Sequence, residues 1–375
     1  MIKKNIAIFT STRSDITILS PLIEKLENSN LLNYFLFVHG THLNKKYGST
    51  VNEIKKLKFK IAKSFNDSLE KDDQFGQILN LNKTQTEVNK IFKNFKIDAV
   101  IILGDRLERL PILTACIVYR KVIIHLHGGE ITLGAIDEQI RHMISKAAHL
   151  HFVIAKTYKK NLLKMSERSN RIFNFGSLGV EKSLKLIKKN TKKENIAILT
   201  FHPETIFANF AWEEKFILIL NALDKFNYNI IITAPGFEKN SKKYITIIKK
   251  ILQNRDLNKF KFIESLGFKN YFSMLNKSKF VIGNSSSGII EVPYFKIPTI
   301  NIGDRQEGRF MHQSIITCDY KFKNIVNAIK KCENKKFINK IQKMKLSFGN
   351  GNTSSKIVKV LEKKLSSEKS LIKKI

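Results

Sequence analysis

Short runs of residues that are apolar on both faces recur along this chain in two series, separated by stretches of helical periodicity, and few folds accept that pattern. The first series runs Asn5 to Phe9, Phe35 to Val38, Ala99 to Leu103, Val122 to Leu126 and Phe152 to Ile154. The second runs Ile196 to Thr200, Ile230 to Thr233, Phe260 to Ile263, Phe280 to Ile282 and Thr299 to Ile302. Such runs, rich in Ile and Val, suit parallel strands covered by helices on both faces. Amphipathic stretches such as Leu22 to Leu26 and Val88 to Phe95 supply the covering helices. The alternation predicts an α/β chain of two Rossmann-like, doubly wound parallel-sheet domains, and 375 residues suffice for two cores. Two glycines in FGSLGVE and the Lys-rich run after them put the boundary near Gly176 to Asn195, giving domains of residues 1–178 and 179–375. Near the end, GNGNTSSKIVKVLEKKL predicts a turn, Thr353 as a helix N-cap, and an apolar stripe at Ile357, Val360 or Leu361, and Leu365.

Composition removes several alternatives. Hydrophobic residues make up 43% of the chain, which excludes disorder. The net charge of +34 opens a nucleic-acid reading, but the lysines are spread along the polar faces of predicted helices and form no stripe. A solvated basic surface that attracts an anionic substrate fits better. The cysteines Cys116, Cys318 and Cys332 show no CxxC spacing, which suits a reducing cytoplasm. The opening MIKKNIAIFTSTRSD holds an apolar run too short for a signal peptide. Nowhere do ~18 apolar residues run together, so no membrane span is expected.

Polar clusters follow nearly every strand: TSTRSD, HGTHLNKKYG, GDRLER, HGGE, FHPET, APGFE, GNSSSG and GDRQEGR. In open parallel sheets ligands bind at the carboxyl ends of strands, so the clusters converge on one edge of each domain, and two such edges facing each other make a cleft. The densest cluster runs from His125 to His151. Gly128 and Gly129 allow a sharp turn, Glu130, Asp137, Glu138 and Arg141 follow closely, and from Ala135 the stripe Ile136, Ile140, Ile144 and Ala147 or Ala148 reads as a helix. Asp137 and Arg141 then stand one turn apart on one face. GNSSSGIIE offers a glycine turn, three hydroxyls and a helix start, a phosphate site without the Lys of a Walker loop. A serine N-cap with nothing bound is its plainer reading, against which Arg305 and Arg309 of GDRQEGR favour a diphosphate. Arg13 reads equally as an anion ligand or a surface arginine. Asp105 and Arg106 read alone as a helix cap and a surface charge, and His202 as a loop histidine. His125 and His127, two apart on a strand, share a face as metal ligands do, but no HExxH or carboxylate scaffold accompanies them. No metal and no cofactor is expected.

With these motifs in hand, the chain resembles the hydrolysing UDP-N-acetylglucosamine 2-epimerases of bacterial sialic and legionaminic acid synthesis. The resemblance runs from TSTRSD to GNTSSKIVKVLE, and is carried by GDR at 104–106, HLHGGEITLGAIDEQIRH at 125–142, FHPET at 201–205, and GNSSSGIIEVP followed by NIGDRQEGR. It implies a GT-B fold, with the nucleotide held mainly by the second domain and a C-terminal helix, residues 353–366 here, crossing back to the first. It implies elimination of the nucleoside diphosphate to a 2-acetamidoglucal, then hydration to the free manno sugar. By the same resemblance Asp105, Glu130, Asp137 and His202 are the catalytic set, with Glu130 the first choice of base. Arg13, Ser285, Ser286, Glu291 and Arg305 match nucleotide or diphosphate positions, and His42 and Arg141 sugar-side or supporting ones. Arg106 and Ser287 complete the substrate-binding set. The first loop departs from the family, with Ser11, Ile16 and Thr17 where a glycine, an aromatic and a glycine are usual. The implied partner is a nucleotide sugar, with neither nucleic acid nor membrane, and the implied assembly a homo-oligomer, dimer or tetramer. A non-hydrolysing epimerase and a GT-B glycosyltransferase are the competing enzyme readings.

Overall fold

A computed structural model of the chain describes residues 2–44, 50–67, 73–133, 136–188, 191–204, 212–235 and 241–366. Ala135 and Thr205, the predicted loop residues 45–48 and 236–238, and the last nine residues lie outside them. The chain forms two compact units. One comprises residues up to Glu130, Asp137–Lys182 and everything from Phe348, and the other Ile131–Ile136 with Ser183–Ser347.

The first unit is built on β1 (Lys4–Thr10), α1 (Arg13–Glu27), β2 (Leu32–Val38), α2 (Val51–Lys56), β3 (Ile61–Ser64), α3 (Gln74–Asn94), β4 (Ala99–Leu103), α4 (Arg109–Val118), β5 (Val122–Leu126), α5 (Asp137–Ala147), β6 (Leu150–Val153), α6 (Lys156–Lys164) and β7 (Ile172–Asn174). Its strands make a seven-stranded parallel sheet in the order β3-β2-β1-β4-β5-β6-β7. Successive residues of β1 point to opposite faces. Ile6 and Ile8 pack with Leu19, Leu22 and Ile23 of α1, whereas Ala7 and Phe9 pack in the layer of Val88 from α3 and Ile112 from α4. α1 starts where it does because Thr12 and Asp15 form a reciprocal capping box.

The second unit begins within α7 (Leu178–Leu184) and continues through β8 (Ile196–Thr200), α8 (Trp212–Asp224), β9 (Asn229–Thr233), α9 (Ser241–Leu252), β10 (Phe260–Ile263), α10 (Gly267–Lys277), β11 (Phe280–Gly283), α11 (Ser286–Ile290), β12 (Thr299–Ile302), β13 (Ile315–Cys318), α12 (Phe322–Glu333) and α13 (Lys335–Lys343). Its parallel sheet has the order β10-β9-β8-β11-β12-β13. α14 (Thr353–Leu365) returns to the first unit, where Ile357, Leu361 and Leu365 join the core layer of α1.

The structure corrects four local expectations. Strands β3, β7 and β13 were not anticipated; all three lie at sheet edges, where partial exposure removes the two-sided apolar signature. Ile136 stands outside the buried stripe at 54% exposure, while Ile140, Ile144 and Ala148 are buried. Asn352 occupies the N-cap of α14, and Thr353 is its first helical residue, its hydroxyl donating to the Phe175 carbonyl. His127 lies past the end of β5 with φ +65°, so it does not share a strand face with His125. No helix among the described residues is long and apolar enough to cross a membrane.

Candidate active site

In the first unit the connections after β1 and β4 leave to opposite faces of the sheet, which makes the carboxyl ends of these neighbours the topological switch point. A buried ion pair fastens the two exits together. Asp15 of α1 accepts hydrogen bonds from the Ser11 and Thr12 amides, both at 3.1 Å, and from the Arg109 guanidinium at 2.5 Å. Arg109 also donates to the Leu103 carbonyl. Burial alone raises the pKa of Asp15, but Arg109 and Arg106 overcome it and hold the carboxyl well below the usual range. Sequence reasoning missed both Asp15 and Arg109, because a single sequence gives no signal that TSTRSD and GDRLER pair.

The next exit carries the predicted cluster. His125 is fully buried; its Nε2 donates to the Gly104 carbonyl at 2.9 Å, so Nδ1 accepts from the Ser145 hydroxyl at 3.1 Å. Burial pushes its pKa down to about 3, so the ring is neutral, and both of its nitrogens are engaged by protein groups. The chain then turns through Gly129, whose φ is +75° and where a Cβ would lie 2.4 Å from the Tyr158 carbonyl oxygen, so only glycine fits. That turn presents Glu130, 2% exposed, with Oε1 3.0 Å from His127 Nδ1.

Arg141, one turn into α5 and 1% exposed, gathers the carboxylates. It donates to the Glu130 carbonyl at 2.9 Å, to Glu138 Oε2 at 2.7 Å, and to Asp105 Oδ2. Burial disfavours its charge, but Asp105, Glu130 and Glu138 together keep the guanidinium ionised, with its pKa raised. Asp105, Glu130 and Arg141 are thus brought together, and Asp137 heads the same helix. Glu138, a charged residue to which the motifs assign no role, also receives His142 Nε2 at 2.7 Å. Of the other predicted residues in this unit, Arg106 pairs with Glu108 at 3.4 Å and Arg13 lies against Glu53 of α2 at 2.9 Å. His42 is enclosed between the Thr10 and Thr50 hydroxyls at 2.9 and 2.8 Å, its pKa lowered to about 4 by burial. It braces the β1 exit.

In the second unit the switch point lies between β8 and β11. Gly283 ends β11 with φ +131°, and a Cβ there would come within 2.0 Å of the Thr200 carbonyl oxygen. The close approach sets Asn284 beside His202: the His202 amide donates to Asn284 Oδ1 at 2.7 Å and Asn284 Nδ2 returns a bond to the His202 carbonyl at 2.9 Å. The Asn284 carbonyl in turn accepts from Arg305 at 3.2 Å and from Gln306 at 2.9 Å. The predicted His202, Ser285 and Arg305 therefore meet around Asn284, which the sequence reading passed over in favour of the serines. Ser286 and Ser287 open α11, and Glu291 closes it. Glu204 of the same β8 exit is held by Lys215 at 2.7 Å and by the Tyr320 hydroxyl. Among the described residues no group of three or more His, Cys, Asp or Glu side chains is arranged to hold a metal ion.

The first unit thus offers carboxylates around a buried cation, suited to moving a proton. The second offers hydroxyls, a helix start and Arg305, suited to an anion. The family model described as UDP-N-acetylglucosamine 2-epimerase matches residues 24–362. Over 351 residues, 90% of this chain and 89% of the relative, the chain is 37% identical to the GDP/UDP-N,N'-diacetylbacillosamine 2-epimerase (hydrolyzing) of Campylobacter jejuni. It is 30% identical to polysialic acid biosynthesis protein P7 of Escherichia coli, over 96% of this chain and 94% of the relative. The crystal structure of UDP-GlcNAc 2-epimerase from Neisseria meningitidis bound to UDP-GlcNAc is similar at a TM-score of 0.80 and 18% identity, over 96% of this chain and 100% of that one. That likeness shows the fold, which is of the GT-B class with two Rossmann-like domains.

Proposed function

Since the chain belongs to the UDP-N-acetylglucosamine 2-epimerase family, we propose that it is a hydrolysing 2-epimerase. Its substrate in this reading is UDP-N-acetylglucosamine or a close nucleotide-sugar analogue, and its products are the free N-acetylmannosamine-type sugar and the nucleoside diphosphate, for nonulosonic acid synthesis. The observation that carries the reading is the buried Arg141, which binds Asp105, Glu138 and the Glu130 carbonyl at one strand edge. A relative named as hydrolysing, at 37% identity, supports it.

In an α-gluco sugar the C2 proton and the anomeric oxygen are trans-diaxial, so the C2–H electrons form the C1–C2 double bond as the C1–O bond breaks and the diphosphate leaves. Glu130 takes the proton. Water then adds its oxygen to C1 and gives up a proton, while a proton reaches C2 from the face opposite to the one Glu130 deprotonates, with Asp105 and Asp137 as the proton-transfer groups for that step. The C2 proton is weakly acidic, so stabilising the departing diphosphate lowers the barrier as much as the base does. His202, Arg305, Ser285, Ser286, Ser287 and Glu291 serve the nucleotide side with Arg13 and Arg106; Arg141 and His42 hold the sugar side in place. The enzyme works as a cytoplasmic homo-oligomer without a cofactor.

Incubation with UDP-N-acetylglucosamine and with the UDP- and GDP-linked diacetamido sugars, followed by NMR, tests the proposal. Release of a free sugar and nucleoside diphosphate from one of them is expected. A returned nucleotide-linked epimer, or no turnover of any, contradicts it.

A further inference from the structure

We propose that the first unit carries a second anion site, for a small organic phosphate, on the sheet edge opposite the carboxylate cluster. A pocket of about 610 Å³ opens there, among the amino-terminal ends of β5, β6 and β7. Arg120 and Lys121 enter it from the turn after α4, Lys146 from the end of α5, and Arg168 and Arg171 from the segment after α6. Glu167 is the carboxylate of the lining, 3.4 Å from Lys146 and 3.3 Å from His151, and Lys146 also donates to the Met165 carbonyl. Ile117 and Ile123 supply apolar wall.

Two helix ends that line this pocket close through left-handed residues. Arg120 and Ser166 both line it in the left-handed conformation, with φ +53° and +64°. Each follows a helix whose last carbonyls are closed by the next two amides: Arg120 N to Ile117 O and Lys121 N to Cys116 O, then Ser166 N to Leu163 O and Glu167 N to Leu162 O. Glycine is the usual occupant of that position, so Arg120 stands there at a cost in backbone strain. Cations do complement helix carbonyl ends, but that role needs neither a concavity nor convergence from three connections. Guanidinium forks match phosphate oxygens, and several cations around one cavity call for a multiply charged ligand. The site uses none of the residues assigned to the epimerase reaction and does not rest on that reading.

Calorimetric titration of the full chain with inorganic pyrophosphate at fixed ionic strength tests the site, in an Arg305→Ala background that removes the second unit's anion ligand. Saturable binding is expected, weakened at least about tenfold by Arg168→Ala, a loss of ~1.4 kcal/mol. Arg120→Gly is expected to weaken binding likewise while raising the melting temperature. No saturable binding, or a raised melting temperature with unchanged affinity in Arg120→Gly, overturns the proposal. So does an equal loss on Lys225→Ala, since that exposed lysine of the second unit reports only the general basic field. Citrate binding as tightly as pyrophosphate overturns the assignment to phosphate.

Discussion

Arg141 and Arg109 are the two largest side chains enclosed in the first unit, and both are charged. Each is tolerated because its carboxylate partners accompany it, and removing one member of such a pair leaves the other buried without compensation. Arg109→Met is expected to destabilise the protein by about 3–5 kcal/mol in urea unfolding, through the stranded Asp15. Glu130 belongs to a different class, since the proposed reaction gives its carboxylate the proton transfer. Glu130→Gln is expected to lower turnover by roughly 10²–10⁴-fold while leaving the melting temperature within a few degrees. Strand-exit motifs together with the family resemblance single out Asp105, Glu130 and Arg141 in the sequence, whereas Asp105 by itself reads as a helix cap. Asp15, Arg109 and Asn284 were not legible, because their importance lies in partners 94, 94 and 82 residues away.

At the scale of elements, strands buried on both faces announced themselves, and of the four edge strands only β10 did. β1, β4, β5, β8, β11 and β12 were all anticipated, whereas β3, with no fully buried residue, carries too little apolar signal to be distinguished from loop. α14 shows how an element far along the chain completes an early core. Ser354 at its start donates through its amide and its hydroxyl to Glu181, and Leu361 is fully buried in the layer of α1. Leu361→Ala is therefore expected to cost about 2–5 kcal/mol, read as a fall in the urea midpoint. An unchanged midpoint contradicts the placement of α14 in that core.

For the whole molecule, three buried histidines, His42, His125 and His312, govern the response to mild acid. Burial lowers the pKa of His42 and His312 to about 4 and that of His125 to about 3, against an ordinary 6.5. Below pH 6.5 the unfolded chain binds protons that the folded chain refuses. Stability is thus complete above pH 6.5 and falls as the pH drops toward 4, by about 1.4 kcal/mol per pH unit for each histidine fully in that window. Urea midpoints are expected to be lower at pH 5 than at pH 7.5; equal midpoints contradict the assignment. The proposed reaction is the other whole-molecule property, because it couples proton transfer to departure of a diphosphate. The most direct test is NMR of the products formed from UDP-N-acetylglucosamine, or from whichever of the diacetamido nucleotide sugars is turned over, in D2O. Free manno-configured sugar bearing deuterium at C2, with an equal amount of nucleoside diphosphate, is the predicted result; released sugar that retains protium at C2 contradicts the elimination.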